Sequence, residues 1–385
     1  MFLGDKKRLD FLDWSRMIFV VLIVIGNMMP TGCWPKTLAH AIHIPLLAVI
    51  GGATLVAPKS WREFGRRCFD TFKYFVAPYI VWFAISVSFY WKSEETMPEQ
   101  VKGLATTDFV EILKQFVFYE NQSSWNQALW FIPCLIVLAY VFICFTALTR
   151  GSRIASLCLS VASFTAAIVL ENKEITVDIG EIKNVFGFKN YLVFLGFIAL
   201  GYTLRFVFDF CLGLTKKTWK NPILYASAVV CVVLCVLCVK NNAVEITKSA
   251  PAGYFGISLY SGRYNDMLMY VLFAAAISIS LMIAVMVLPR CETVHLISNN
   301  TMLVLSAHFF FYFEETFRPV TASKKGIWAP MFKKLGYEVW EIDMMYAYRD
   351  TAFIILVFIG IAWAFYALFK KYPKLRNIFA FVGIQ

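Results

Sequence analysis

Charged side chains are scarce in this chain of 385 residues, of which they make up only 16%. A soluble protein would contain roughly 25%. The hydrophobic residues, 59% of the total, occur in blocks, and several blocks approach the roughly 20 residues that an α-helix needs to cross a bilayer. Internal repeats, low-complexity tracts and stretches typical of a soluble domain are also absent. These absences exclude a soluble enzyme and indicate one integral membrane domain over residues 1–385.

Metal-binding patterns are missing from the sequence as well. Histidine occurs four times, and the ten cysteines are spread through the apolar segments. Cys235 and Cys238 have C-x-x-C spacing, with Cys231 one turn earlier, but no histidine or carboxylate lies near them in the sequence. We therefore interpret these cysteines as small packing residues and predict no metal cofactor.

Ten apolar segments predict membrane-spanning helices. They cover residues 14–33, 40–57, 72–91, 129–148, 154–171, 190–213, 221–239, 267–288, 301–317 and 351–370. Residues 108–119 are amphipathic and flanked by charge, which is typical of a helix that lies in the membrane interface. The predicted fold class is thus an all-α integral membrane bundle of about ten transmembrane helices.

The basic residues predict the orientation of this bundle. An even number of spans places both termini on one side, and Lys and Arg cluster in the loops of that side. These clusters lie at 59–67, 150–153, 216–220 and 370–376. By the positive-inside rule both termini are cytoplasmic. The net charge of +11 then reflects topology and contact with anionic lipid headgroups, and we expect no nucleic-acid partner.

The first predicted helix contains two polar residues in an apolar run. Arg16 is followed by ten residues and then by Asn27, which lies about 16 Å further along the helix axis, near mid-membrane. Arg16 either extends to the headgroups or contacts a phosphate or thioester oxygen. Asp13 shares its face and can pair with it. Asn27 either forms an interhelical hydrogen bond, worth roughly 0.6–2 kcal/mol, or donates one to an oxyanion.

Three further motifs follow in the sequence. They are His43-Ile44-Pro45-Leu46 followed by Gly51-Gly52, Leu129-Trp130-Phe131, and Asn300-Thr301-Met302 leading to His308. In order and spacing, these motifs and the Arg16–Asn27 pair resemble the membrane-bound acyltransferase-3 family, most closely the branch that acetylates sugar hydroxyls. The resemblance runs from Arg8 to about Pro373. In that family a histidine with the proposed catalytic role occupies the position of Asn27.

The resemblance implies attack of a sugar hydroxyl on an acyl thioester. An alcohol needs a base to remove its proton, and an amide cannot accept one. Losing a general base typically costs about 10²–10⁴-fold in rate, so this chain is either inactive or uses another base. His43, one turn from His40, is the substitute that the sequence suggests, although both are also typical of a membrane interface. His295 lies in a predicted inner loop and receives no role.

The resemblance also implies sites for the donor and the acceptor. The acceptor candidates are Trp130, His308 and Glu314, with a structural hydrogen bond as the alternative for His308. Arg62, Arg66 and Lys73 fall within about 40° of one another on a helix, and Arg67 lies beside them. Such a group suits the phosphates of coenzyme A, but it also suits anchoring to anionic lipid.

The sequence therefore predicts a membrane O-acyltransferase of the bacterial inner membrane. It would move an acetyl or similar group from cytoplasmic acetyl-CoA, or another acyl-CoA, to a glycan or lipid-linked sugar. Arg16, Asn27, His43 and Asp13 are the catalytic candidates. The alternative is a protein of the same fold that binds or translocates a glycan lipid without catalysis. A further alternative is that Asn27 is a deliberate substitution of a natural histidine. The sequence of codon 27 in the unmodified gene decides between these possibilities.

Overall fold

The protein is a helical bundle in the parts of the chain that its computed structural model describes. These parts are residues 10–29, 33–93, 131–172, 188–215, 222–245, 255–257, 264–308 and 339–384. Within them, nine helices are long and apolar enough to cross a membrane. The predicted all-α membrane bundle is confirmed. The predicted span over 301–317 continues beyond the described residues, and the amphipathic segment 108–119 lies outside them.

The helices appear in the following order along the chain. The first half contains α1 (Asp10–Met28), α2 (Trp34–Thr54), α3 (Trp61–Thr71), a π-helical turn (Phe72–Val76), α4 (Ala77–Ser93), α5 (Phe131–Leu148) and α6 (Arg153–Asn172). The second half contains α7 (Phe188–Thr215), α8 (Pro222–Asn242), α9 (Met267–Ala284), a 3₁₀ turn (Val285–Val287), α10 (Glu292–Asn299), α11 (Thr301–Ala307), α12 (Val339–Lys371), α13 (Pro373–Phe379) and a 3₁₀ turn (Ala380–Val382). Two-residue strands β1 (Val244–Glu245) and β2 (Phe255–Gly256) pair antiparallel after α8.

The third membrane helix begins at Trp61 rather than at residue 72, so the predicted loop over 59–67 is wrong. Ser60 caps this helix because its hydroxyl accepts a hydrogen bond from the Glu63 N–H at 3.2 Å. The Glu63 carboxylate in turn accepts one from the Lys59 N–H at 2.7 Å. These two hydrogen bonds, which are close to those of a capping box, stabilise the start of a helix in a polar segment. Helix α3 then continues through the π-helical turn into α4, just before Pro78, which has no N–H to donate.

The predicted helix over 301–317 is preceded by a separate helix, which the sequence analysis missed. Helices α10 and α11 meet at Asn300, whose φ of −99° and ψ of 23° interrupt the helical conformation. The Asn300 side chain donates a hydrogen bond to the Leu296 carbonyl at 2.8 Å. Asparagine competes in this way with the backbone ladder, which explains the break.

Helix α2 lies at the centre of the bundle, in contact with α1, α7 and α9. It approaches α7 closely because both helices have glycine at their crossing. A Cβ atom at Gly52 would overlap the Ile198 carbonyl, and one at Gly201 would overlap the Val49 carbonyl. Small residues let membrane helices approach to backbone contact, since packing rather than hydrophobicity holds them together. This crossing fixes the position of α2 beside α1.

The segment that follows α12 folds back against the bundle. After α13, a 3₁₀ turn brings the Val382 carbonyl to 3.0 Å from the indole nitrogen of Trp82, which donates a hydrogen bond to it. Phe379 packs against the rings of Phe365 and Phe369. Ala380 and Ile384 are buried. This segment therefore forms part of the bundle and borders α4.

Candidate active site

Helix α1 runs beside the interrupted helix formed by α10 and α11. At about 100° per residue, Asp13, Arg16 and Asn27 fall within about 60° of one another on α1. Asp13 contacts His295 near the start of α10, and Asn27 contacts His308 at the end of α11. The two helices are therefore parallel. We refer below to the Arg16 end and the Asn27 end of α1.

At the Arg16 end, the Asp13 carboxylate joins α1 to α10. The Ser298 hydroxyl donates a hydrogen bond to Oδ1 of Asp13 at 2.7 Å, and Nδ1 of His295 lies 3.1 Å from Oδ2. A carboxylate only accepts, so His295 donates from Nδ1. His295 belongs to α10 rather than to a loop. Sequence reasoning missed its contact with Asp13, and it gave Asp13 only Arg16 as a candidate partner.

Replacing Asp13 by alanine is expected to destabilise the protein by about 1–3 kcal/mol, because the buried Ser298 loses its acceptor and His295 loses its carboxylate. The loss is measurable as a lower thermal unfolding midpoint in detergent. Ser15→Ala is the matched control, since the buried Ser15 hydroxyl only donates to Phe11 in its own helix, at 2.8 Å. Equal effects of the two substitutions would contradict a structural role for the Asp13 contacts.

At the Asn27 end, the side chain of Asn27 contacts His308. The Nδ2 atom of Asn27 lies 3.0 Å from Nε2 of His308 and 2.9 Å from the Ile23 carbonyl oxygen. The His308 side chain is fully buried, and its Nδ1 lies 2.8 Å from the Val304 carbonyl oxygen. Because a carbonyl only accepts, Nδ1 carries the hydrogen, and Nε2 of the neutral ring accepts the amide hydrogen from Asn27.

The other two histidines of this end belong to α2. His40 donates from Nε2 to the Gly26 carbonyl at 2.8 Å, and Lys36 donates to the Met29 carbonyl at 3.0 Å. These bonds satisfy carbonyl groups that the end of α1 leaves without helical partners. The buried His43 donates from Nδ1 to the Ala39 carbonyl, and its ring centroid lies 5.5 Å from that of His40.

The cationic residues predicted to bind the donor differ in their surroundings. Arg62 and Arg66 are exposed, whereas the ammonium group of Lys73 lies over the ring of Phe381, 5.5 Å from its centroid. Arg67 is only 3% exposed, and within the described part of the chain it forms an ion pair with Glu63 at 3.5 Å. Among the described residues, its Nε atom has no hydrogen-bond partner.

Arg67 belongs to a second group of cations that the sequence analysis did not identify. Arg67, Arg153 and Arg205, here called the arginine cluster, all act electrostatically on the hydroxyl of Tyr202. That hydroxyl donates to the Gly151 carbonyl at 3.1 Å. Arg205 lies in the apolar run of α7, and its Nη1 donates to the Leu55 carbonyl at 3.3 Å.

The arginine cluster lies at the Arg16 end of α1. The Phe11 ring, two residues before Asp13, lies 6.3 Å from the Phe208 ring, which follows Arg205 by three residues. Arg16 itself is half-buried on α1 and takes part in side-chain interactions. The Arg16 end thus combines several guanidinium groups, whereas the Asn27 end combines an amide with histidines.

Two predicted acceptor residues, Trp130 and Glu314, lie outside the described residues. Within the described ranges, no three His, Cys, Asp or Glu side chains are close enough to hold a metal ion. The histidines of the Asn27 end take part in hydrogen bonds there. Their shared surroundings, buried between α1, α2 and α11, form the candidate active site.

The comparisons with known proteins give one result. A family model of the acyltransferase domain of acyltransferase family 3 matches residues 9–365, which is nearly the whole chain and includes α1 through most of α12. No curated protein and no solved structure matches the chain. The match covers both ends of the candidate site.

Proposed function

The chain belongs to acyltransferase family 3, and on this premise we propose that it transfers an acyl group from an acyl-CoA to a sugar hydroxyl. The donor is acetyl-CoA or a similar thioester, which enters at the Arg16 end. The acceptor is a glycan or a lipid-linked sugar at or across the membrane. If the positive-inside rule holds, the Arg16 end faces the cytoplasm, where acyl-CoA is made. The proposed location is the bacterial inner membrane.

The observation that carries this proposal is the incomplete pairing of Arg67. Burying a charge is costly unless it is paired and hydrogen-bonded. Arg67 is almost fully buried, yet its Nε has no acceptor in the described part of the chain, and its pairing with Glu63 is long. Arg153 and Arg205, the other two members of the arginine cluster, act on the same Tyr202 hydroxyl. Such an arrangement suits an anion with several oxygens.

Coenzyme A has the required anionic groups. Its pyrophosphate and additional phosphate offer oxygens that guanidinium groups bind in pairs. With the phosphates at the arginine cluster, the flexible arm of coenzyme A can extend the thioester along α1 towards Asn27. Arg16, on the same face of α1 as Asn27, would then orient the donor by contact with a phosphate or with the thioester oxygen.

Acetyl transfer by the purified protein tests this proposal. The protein is reconstituted in vesicles with radiolabelled acetyl-CoA and the glycan-lipid fraction of the host. We expect label to enter the glycan lipids, with one free CoA thiol released for each acetyl group transferred. If label stays in CoA and no thiol is released, the protein is a non-catalytic glycan-lipid binder.

Arg16→Ala is expected to lower this transfer by roughly 10- to 100-fold, as removal of a charge-assisted hydrogen bond of about 1.5–3 kcal/mol would do. The initial rate at subsaturating acetyl-CoA measures the effect. Arg290→Ala is the control, because the Arg290 side chain is exposed and pairs with Glu292 on the surface. Equal rates for the two variants would exclude Arg16 from donor binding.

A further inference from the structure

We propose that His308 is the general base of this protein, and that Asn27 positions it instead of performing the chemistry itself. This inference rests on the proposed acyl transfer. By the sequence resemblance, Asn27 stands where the family has a histidine, and an amide cannot serve as the base. The structure brings a different histidine, 281 residues later in the sequence, to that same position.

The hydrogen bonds of His308 leave the correct nitrogen available. Its Nδ1–H is fixed by the Val304 carbonyl at 2.8 Å, so Nε2 carries the lone pair. That lone pair points at the amide of Asn27, 3.0 Å away. A base that replaces a side chain at position 27 needs its accepting nitrogen within hydrogen-bond reach of that position, and His308 meets this requirement.

The other two histidines of the Asn27 end meet this requirement for an accepting nitrogen near position 27 less well. His40 donates its Nε2–H to the Gly26 carbonyl of α1, and this hydrogen bond links α2 to α1. His43 also donates from Nδ1, to Ala39, and so has an accepting Nε2. However, the structure gives His43 no hydrogen bond to Asn27. His43 and His308 are near enough to interact electrostatically, so both belong to one buried group.

The contact with Asn27 keeps His308 satisfied before the acceptor arrives. Asn27 donates one amide hydrogen to Ile23 in its own helix and the other to His308. An incoming sugar hydroxyl replaces the Asn27 amide as the donor to Nε2 of His308. One neutral hydrogen bond is then exchanged for another. Such an exchange costs little, because the net value of a neutral hydrogen bond is small. Asn27 therefore protects the base without competing strongly with the acceptor.

In the transfer step, every bond, proton and electron pair is accounted for. The acceptor hydroxyl gives its proton to Nε2 of His308 while its oxygen attacks the thioester carbonyl carbon. The new C–O bond forms, and the C–S bond breaks with its electron pair going to sulfur. The protonated His308 returns the proton from Nε2 to the departing sulfur, which yields free CoA thiol and the sugar ester. Neither an oxidant nor a reductant is needed.

The test compares four variants in the radiolabelled acetyl-CoA assay. His308→Ala and His308→Gln are both expected to lose about 10²–10⁴-fold in transfer rate. The glutamine keeps an amide that can bond to Asn27 and Val304, so the fold is maintained although no base is present. Asn27→Ala is expected to lose no more than about tenfold. Asn27→Asp is expected to lose more than Asn27→Ala, because a carboxylate beside Nε2 holds a proton there.

Two further measurements separate chemistry from folding and from the proposed function. His308→Gln should retain the stabilisation of the protein by acetyl-CoA in thermal unfolding, and imidazole should restore part of the transfer by His308→Ala. Transfer by His308→Gln within tenfold of the unaltered protein would overturn the role of His308 and leave the proposed function standing. A gain of transfer in Asn27→Asp would also overturn it. An unaltered protein that transfers no acetyl group overturns both.

Discussion

Replacing Gly52 by alanine is expected to destabilise the protein severely, whereas the same substitution at the preceding residue is tolerated. A methyl group at Gly52 would overlap the carbonyl of Ile198 on α7, so α2 and α7 would have to separate. Overpacking typically costs about 1–3 kcal/mol, and a clash with backbone belongs at the upper end because no side chain can rotate away. The thermal unfolding midpoint and the monodispersity of the protein in detergent measure this loss.

Gly51→Ala is the matched control for this prediction. A Cβ atom at Gly51 meets no atom within 4 Å, and the residue is exposed. Since alanine favours a helix over glycine by about 1 kcal/mol, the control is expected to have unchanged or slightly higher stability. Similar unfolding midpoints for Gly51→Ala and Gly52→Ala would show that α2 and α7 are not in backbone contact.

Replacing Arg67 by methionine is expected to raise the KM for acyl-CoA by roughly 10- to 100-fold without lowering stability. The variant lacks the charge-assisted hydrogen bonds that the Arg67 guanidinium makes to the donor, which are worth about 1.5–3 kcal/mol. Without the donor, however, the arginine is a buried and incompletely paired charge. Its removal leaves no unpaired buried charge, because Glu63 is partly exposed and keeps its contact with Arg66. Kinetics and thermal unfolding in the absence of acyl-CoA measure the two effects.

A higher KM for acyl-CoA without a loss of stability distinguishes a binding residue from a structural one. Arg62→Met provides the comparison, because Arg62 lies on the same helix but is exposed. An exposed charge contributes about 0–1 kcal/mol, so the KM of the Arg62→Met variant for acyl-CoA is expected to change by less than about fivefold. If Arg67→Met lowers stability and leaves the KM unchanged, Arg67 is a structural residue paired with Glu63.

Hydropathy was sufficient to predict the bundle but not the ends of its helices. Nine of the ten predicted apolar runs correspond to the nine long helices of the described residues. The start of α3 was missed because its first turns are rich in charge. The Ser60–Glu63 pair has the S-x-x-E spacing of a capping box, which was a readable signal for that helix. The break at Asn300 depends on a side-chain hydrogen bond that no periodicity reveals.

The candidate site was predictable only where its residues share a helix. The spacing of Arg16 and Asn27 places both on one face of α1. Periodicity does not say which helix that face contacts, so the pairing of Asn27 with His308 could not be derived. The sequence indicated His43 because the second helix brings it to a depth in the membrane similar to that of Asn27. Arg205, in contrast, had a sequence signal, since an ionisable residue within an apolar helix is a functional candidate by default.

The most direct test of this account is the structure of the protein bound to a non-hydrolysable acetyl-CoA analogue with a thioether in place of the thioester. We predict that the phosphates contact Arg67 and Arg205, and that the arm follows α1 from the Arg16 end. The acyl group should lie beside Asn27, within reach of Nε2 of His308. An analogue bound away from α1, or with its acyl group remote from His308, would contradict the account.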